Sequence, residues 1–269
     1  TTENIINIDG TGGITISSII SGSSRNLTKA GSGSGVLTLS GVNTYTGYTK
    51  ITSGELRLNP SANNSLSGAC IFNGGTLATT GITATRTITF GSIDLAENST
   101  LALNNNAHTV TFTTAGTFTA GKVLTITGWT GTIAGCSAGT AGRIFVGSGA
   151  SALSAAQLAQ IKFTISGVDY PATLLSTGEL VPTLKLVVTN PGNQIAGVGF
   201  GVTVTATDFN GTATNVPTNT GITLSSATNT IGGTTTGTIN SGSSAVTISG
   251  VTLSAGTNAT ITASSNAGF

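Results

Sequence analysis

Short alternations of apolar and polar residues recur from the N-terminus to about residue 183. Examples are Ile14-Thr15-Ile16, Val36-Leu37-Thr38-Leu39, Glu55-Leu56-Arg57-Leu58, Thr87-Ile88-Thr89-Phe90, Thr109-Val110-Thr111-Phe112 and Val123-Leu124-Thr125-Ile126. A period of two puts one set of side chains on each face of an extended backbone, so each run predicts a short strand. Gly, Asn and Ser bound the runs, and Asp9-Gly10, Gly12-Gly13 and Asn73-Gly74-Gly75 are turn signals. Many short strands at near-regular spacing, with almost no helical periodicity, predict an all-β chain: a solenoid, a sandwich or a barrel. One stretch departs from this pattern. Ser154-Ala155-Ala156-Gln157-Leu158-Ala159-Gln160 carries helix formers behind a Ser-x-x-Gln capping box. It predicts a helix of about two turns that covers the open end of the first domain, because a solenoid needs its terminal face protected.

Thr177-Gly178-Glu179-Leu180-Val181-Pro182 reads as a last strand followed by a break. Beyond it, Lys185 and Asp208 are the only charged residues from Leu184 to Phe269. Strands are expected at Leu184–Thr189, Gly201–Asp208, Ile222–Ser225, Thr234–Ile239, Ala245–Ser249 and Ala259–Ala263. The division is therefore residues 1–182 and 183–269: a parallel β-solenoid (β-helix) with a short capping helix, then an Ig-like β-sandwich module. The second part has no Trp and no Cys pair, so it is not of the antibody type.

Composition narrows the function classes. Of 269 residues only 6% are charged, with nine Lys/Arg against eight Asp/Glu. That balance lacks the basic footprint of a nucleic-acid binder. At 38% hydrophobic, the chain is not a charged disordered tail. Threonine is about a fifth of the residues, there are 39 Gly and there is no Met. Hydroxyls and amides must therefore coat the surface, as on secreted bacterial proteins. No apolar run approaches the length of a membrane span. The opening Thr1-Thr2-Glu3-Asn4-Ile5 has neither an initiator Met nor a signal peptide, so the expectation is a mature or proteolysed segment, or part of something longer.

Candidate chemistry is sparse. Asp94 and Glu97 are the closest acidic pair and the only argument for glycoside hydrolysis, but they read as a strand end and turn. His108 is the only histidine and is expected at the surface or in a cap, since no acid or Cys lies near it in sequence. Asp208-Phe209-Asn210-Gly211 lacks the acidic positions of a calcium loop, and Asn210-Gly211 signals a hairpin instead. Gly147-Ser148-Gly149 reads as linker. Cys70 and Cys136 form either one disulfide or two buried thiols, and their spacing is not that of a zinc site. Thr-x-Thr pairs at 109/111, 117/119, 125/127 and 203/205 raise ice binding, but a spacing of about eight residues places them on different faces. No catalytic residue, metal ligand or cofactor is expected, and the chain is not expected to be an enzyme.

The segment Leu37-Thr38-Leu39-Ser40-Gly41-Val42-Asn43-Thr44-Tyr45-Thr46-Gly47-Tyr48-Thr49-Lys50-Ile51-Thr52-Ser53-Gly54-Glu55-Leu56-Arg57-Leu58 resembles the autotransporter-associated β-strand repeat. Tyr48 departs from that pattern, in which Gly is usual. Leu27-Thr28-Lys29-Ala30-Gly31 looks like the lead-in to the same repeat. Trp129 with Leu158–Phe163 and Gly178–Pro182 resembles the segment that closes such repeats. Val202-Thr203-Val204-Thr205-Ala206-Thr207-Asp208-Phe209-Asn210-Gly211 resembles bacterial Ig-like repeats of adhesins. The resemblance implies a right-handed solenoid, an extracellular place on the bacterial cell surface and a stalk, adhesin or filament role without catalytic residues. It also implies partners among neighbouring domains or subunits, with self-assembly by β-strand addition and binding of host or surface glycans as further possibilities. The alternative is a carbohydrate-binding or carbohydrate-cleaving β-helix.

Overall fold

The computed structural model describes residues 2–133, 138–254 and 259–266. The chain divides into two compact units. The first holds residues 1–131, 138–168 and 172–182, and the second holds 132–137, 169–171 and 183–269.

The first unit is a β-solenoid. Each coil gives one strand to each of two sheets. The first sheet runs β1 (Thr2–Asn7), β3 (Arg25–Ala30), β5 (Thr49–Ile51), β8 (Cys70–Asn73), β10 (Arg86–Glu97), β12 (His108–Phe118) and β14 (Gly142–Val146), with β7 (Asn64–Leu66) also paired to β10. The second runs β2 (Gly13–Ile16), β4 (Val36–Leu39), β6 (Glu55–Leu58), β9 (Thr76–Ala78), β11 (Ser99–Ala102), β13 (Leu124–Thr127) and β15 (Ile161–Ile165). Successive coils pair in parallel. Val36 lies beside Glu55, and further along the stack Ser99 lies beside Leu124.

Parallel register turns the alternation of each strand into columns. Leu37, Leu56, Leu77, Leu101, Ile126 and Phe163 stack inward on the second sheet, with Ile14 at the exposed start of the column. On the first, Leu66, Phe90, Phe112 and Val146 form another column. The Phe90 and Phe112 rings stack at 5.7 Å, and Phe72 meets Phe112 edge-on at 6.4 Å. Each buried side chain is thus covered by its counterpart one coil away. Apolar burial grows with every coil added.

The capping box forms as expected: Gln157 N donates to Ser154 Oγ at 3.3 Å, and Ser154 N donates to Gln157 Oε1 at 3.0 Å. The helix it starts, α1 (Ala155–Leu158), is a single turn with no buried residue, so it cannot cover the apolar end. The second sheet instead continues past β15 into β16 (Val168–Leu174) and the antiparallel β17 (Leu180–Pro182). The helix acts as a strap on the preceding coil: Gln157 Nε2 donates to Gly116 O at 3.0 Å, and Gln160 Nε2 to Thr119 O and Lys122 O.

The second unit has two antiparallel sheets. One orders β18 (Lys185–Val188), β19 (Phe200–Thr207), β23 (Ala245–Leu253) and β21 (Ile231–Gly233). The other orders β22 (Thr236–Ile239), β20 (Thr220–Ser226) and β24 (Ile261–Ser265). Val202, Val204, Ile222, Leu224, Ile239, Ile248 and Val251 from both sheets share one core. Asn210-Gly211 forms a tight turn closed by a Thr207–Ala213 bridge, but β19 and β20 lie in different sheets rather than forming a hairpin.

Candidate functional site

Each conspicuous residue of the Asn43–Gly47 stretch has a task at one coil corner. The Asn43 carboxamide is buried, and its Oδ1 accepts from Ile20 N at 2.9 Å. Asn43 N in turn donates to Asn64 Oδ1 at 3.0 Å, and Asn64 Nδ2 donates to Asn43 O at 2.8 Å. The two asparagines, one coil apart, hold three successive coils together through backbone groups that a buried corner would otherwise leave unpaired. Tyr45 fills the corner from inside, with its hydroxyl 2.7 Å from Thr49 Oγ1, and burial pushes its phenol pKa up. Thr46 Oγ1 accepts from Ser24 N at 2.8 Å.

The next residue faces out. Strand register aligns Asn4, Leu27, Thr49 and Cys70. One residue earlier in each coil stand Glu3, Asn26, Tyr48 and Ala69. Tyr48 N donates to Asn26 Oδ1 at 3.1 Å. The Tyr48 side chain reaches back across two coils, bringing its hydroxyl beside Asn26, Thr28 and Glu3. Thr28 Oγ1 donates to Glu3 Oε1 at 2.5 Å. That bond, with Tyr48 and Lys50 nearby, holds the Glu3 carboxyl below its ordinary pKa. Partial burial and the Glu3 charge push the Tyr48 phenol up.

The residues singled out from sequence do not converge. Asp94 lies inside β10 rather than in a turn, where its Oδ1 accepts from Thr117 N at 2.8 Å and its Oδ2 from Ser92 Oγ at 2.6 Å. Glu97 pairs with Lys122 at 2.7 Å. Asp208 Oδ1 accepts from Asn210 N and Thr212 N, which closes the turn after β19. Gly147 begins a turn in which its own N–H donates to Phe112 O. Cys70 is a free thiol buried between Thr49 and Ile93, and Cys136, its partner in the disulfide alternative, lies outside the described residues. Among the described residues no three His, Cys, Asp or Glu side chains group as a metal site. Thr109 and Thr111 do stack in register, on Thr87 and Thr89 one coil earlier. The array stops there, because β14 places Arg143 and Phe145 at the matching positions.

His108 is not at the surface. It is 2% exposed and points inward from β12 beside Gly142 of β14. Its Nδ1 lies 2.7 Å from Asn106 O, and its Nε2 has no hydrogen-bond partner. Nδ1 therefore carries the proton of a neutral ring, and burial pushes the pKa below the ordinary 6.5. The unfolded chain takes up a proton near pH 6.5 that the folded chain refuses. The contribution of His108 to stability is thus complete above that pH and is lost as pH falls below it, by at most about 1.4 kcal/mol per pH unit. The melting temperature should fall between pH 6.5 and 5, ahead of ordinary carboxylate titration, and His108→Asn should flatten that limb. An unchanged limb in the variant would refute this assignment.

Two buried charges escaped the sequence reading. Lys29 stands in an inward column between Ile6 and Ile51, with Nζ donating to Ala30 O at 2.8 Å and Ser53 O at 3.2 Å. Burial lowers its pKa. Near the last coil, the fully buried Glu179 accepts from Gly139 N at 2.8 Å and Arg143 Nε at 3.1 Å, and its Oε2 pairs with Arg143 Nη2. Trp129 is buried edge-on against Phe163 at 5.9 Å.

Residues 27–58 match the passenger-associated-transport-repeat family. They run from β3 to β6, two successive coils, and include the asparagine corner and Tyr48. No curated protein and no solved structure matches the chain. An autotransporter-associated repeat on a β-solenoid fits an autotransporter-type passenger and points to a secreted or surface-exposed protein.

Proposed function

We propose that the chain is a non-catalytic structural module of an extracellular bacterial adhesin or surface filament, working as a rigid stalk or fibre subunit. The observation that carries this reading is the continuous parallel strand pairing from β1 to β14 and from β2 to β15. Every coil is bonded to the next along the axis, so bending must strain many hydrogen bonds at once. The engagement of Asp94 and Glu97 with neighbouring coils supports a role without catalysis.

The second unit reads as an Ig-like module. Its order β18-β19-β23-β21 facing β22-β20-β24 has the four-plus-three strand arrangement of such sandwiches. In the fibre form of this reading, a strand from a neighbouring subunit pairs at the end of a sheet of the second unit.

Negative-stain electron microscopy of the purified chain tests the reading. Straight rods indicate a segment of one long stalk. Fibres with a regular axial repeat indicate a polymer subunit. Round particles without an elongated axis, or turnover of a polysaccharide by the purified chain, would overturn it.

A further inference from the structure

We propose that the outer face of the first sheet around Tyr48 is a shallow platform for a neutral pyranose sugar. This goes beyond a stalk role, because it gives the shaft itself a ligand. At the aligned positions on successive coils stand Glu3, Asn26, Tyr48 and Ala69; Asn26 is buried, and the Tyr48 side chain reaches back past it toward the exposed Glu3. The adjoining column carries Thr28, Lys50 and Ile71. Tyr45, earlier on the same corner, fills the core, whereas Tyr48 remains half-exposed. A tyrosine at this place has no corner to fill. It is also where the repeat pattern usually has Gly.

The groups fit one ligand class. A pyranose presents an apolar C–H face and a rim of hydroxyls. An exposed tyrosine offers a flat apolar ring with a polar tip. The Glu3 carboxylate accepts strongly from hydroxyls and is already oriented by Thr28. The partly exposed Lys50 supplies an ammonium donor beside the ring. Three coils contribute, and their backbones are fixed by the solenoid, so little order has to be created on binding. The carboxylate disfavours anionic sugars. With no enclosing cavity, a monosaccharide should bind with Kd on the order of 1 mM.

Saturation-transfer NMR on the intact chain tests this, using methyl glycosides of glucose, galactose, mannose and N-acetylglucosamine, with N-acetylneuraminic acid as the anionic comparison. The expected result is transfer to at least one neutral pyranoside and not to the acid. Tyr48→Ala should abolish transfer at an unchanged melting temperature, and Tyr48→Phe should keep part of it. If Tyr48→Ala lowers the melting temperature, Glu3→Gln carries the test, with at least a fivefold weaker signal expected. No transfer to any neutral pyranoside at 10 times the ~1 mM estimate, or transfer undiminished in a folded Tyr48 or Glu3 variant, overturns the proposal. The stalk reading is untouched by that failure, since it is judged on particle shape.

Discussion

Gly68→Ala is expected to destabilise the solenoid by roughly 3 kcal/mol or more, beyond ordinary overpacking because the obstacle is backbone. A methyl group on Gly68 would overlap the carbonyl oxygen of Gly47 in the coil before. One coil later, a methyl on Gly91 would meet the carbonyls of Ser67 and Gly68, and Gly47 itself abuts the Arg25 carbonyl. These glycines stand at one corner of successive coils, where backbones pass too close for any side chain. Gly68 does not have a positive φ, so the penalty is steric rather than conformational. The backbone can yield only by opening the ladder on both sides. A loss of about 3 kcal/mol corresponds to about 10 °C in melting temperature for a unit of this size. Gly12→Ala is the control. Its added methyl meets nothing within 4 Å, and the expected change is within about 0.5 kcal/mol. Calorimetry of both variants decides the matter, and equal melting temperatures would show that the corner is more pliable than its geometry implies.

Arg143→Met is the second large effect, and it should be unequal to its partner's. Glu179 is 0% exposed whereas the Arg143 side chain is 39% exposed. Removing the arginine leaves a carboxylate without its cation in a dry site, held among the described residues by Gly139 N, at a cost of about 3 kcal/mol. Glu179→Gln leaves a cation that can turn to water, while the amide oxygen still accepts from Gly139 N, so about 1 kcal/mol is expected. Urea unfolding of both variants measures this difference. Equal losses would place the stabilisation in the stacking of Arg143 over Phe145 at 5.0 Å instead.

The strands of the solenoid were legible because each coil repeats the same alternation of apolar and polar positions, and its apolar members all face one stack. Val36–Leu39 and Glu55–Leu58 fall at the ends read from sequence. What sequence did not show is anything that depends on register. His108 looked like a surface residue because no partner is near it in the chain, yet register places it inward beside Gly142. Thr87/Thr89 under Thr109/Thr111 were missed as a stack because the pairs were compared with their nearest neighbours in sequence rather than with those one coil away. Lys29 looked like an ordinary polar residue on a strand, but its parity puts it inside. The cap was assigned to the helix on the strength of its capping box, which is a local signal. Covering the apolar end is a non-local task, and β16 and β17 perform it. The surroundings of Tyr48 were likewise hidden, since Glu3 and Thr28 are distant in the chain and reach it only through coil stacking.

The interval between coils is not uniform. Val36 pairs with Glu55 and Ser99 with Leu124, but His108 pairs with Gly142 and Leu124 with Ile161, so the later coils take in much more chain. The ladder nevertheless resumes in step. Parallel strand pairing is therefore the constant along the stack and corner length the variable. New sequence can be spliced at a corner, tried and discarded while the scaffold stays intact. That makes the shaft a chassis whose corners can lengthen without breaking the ladder.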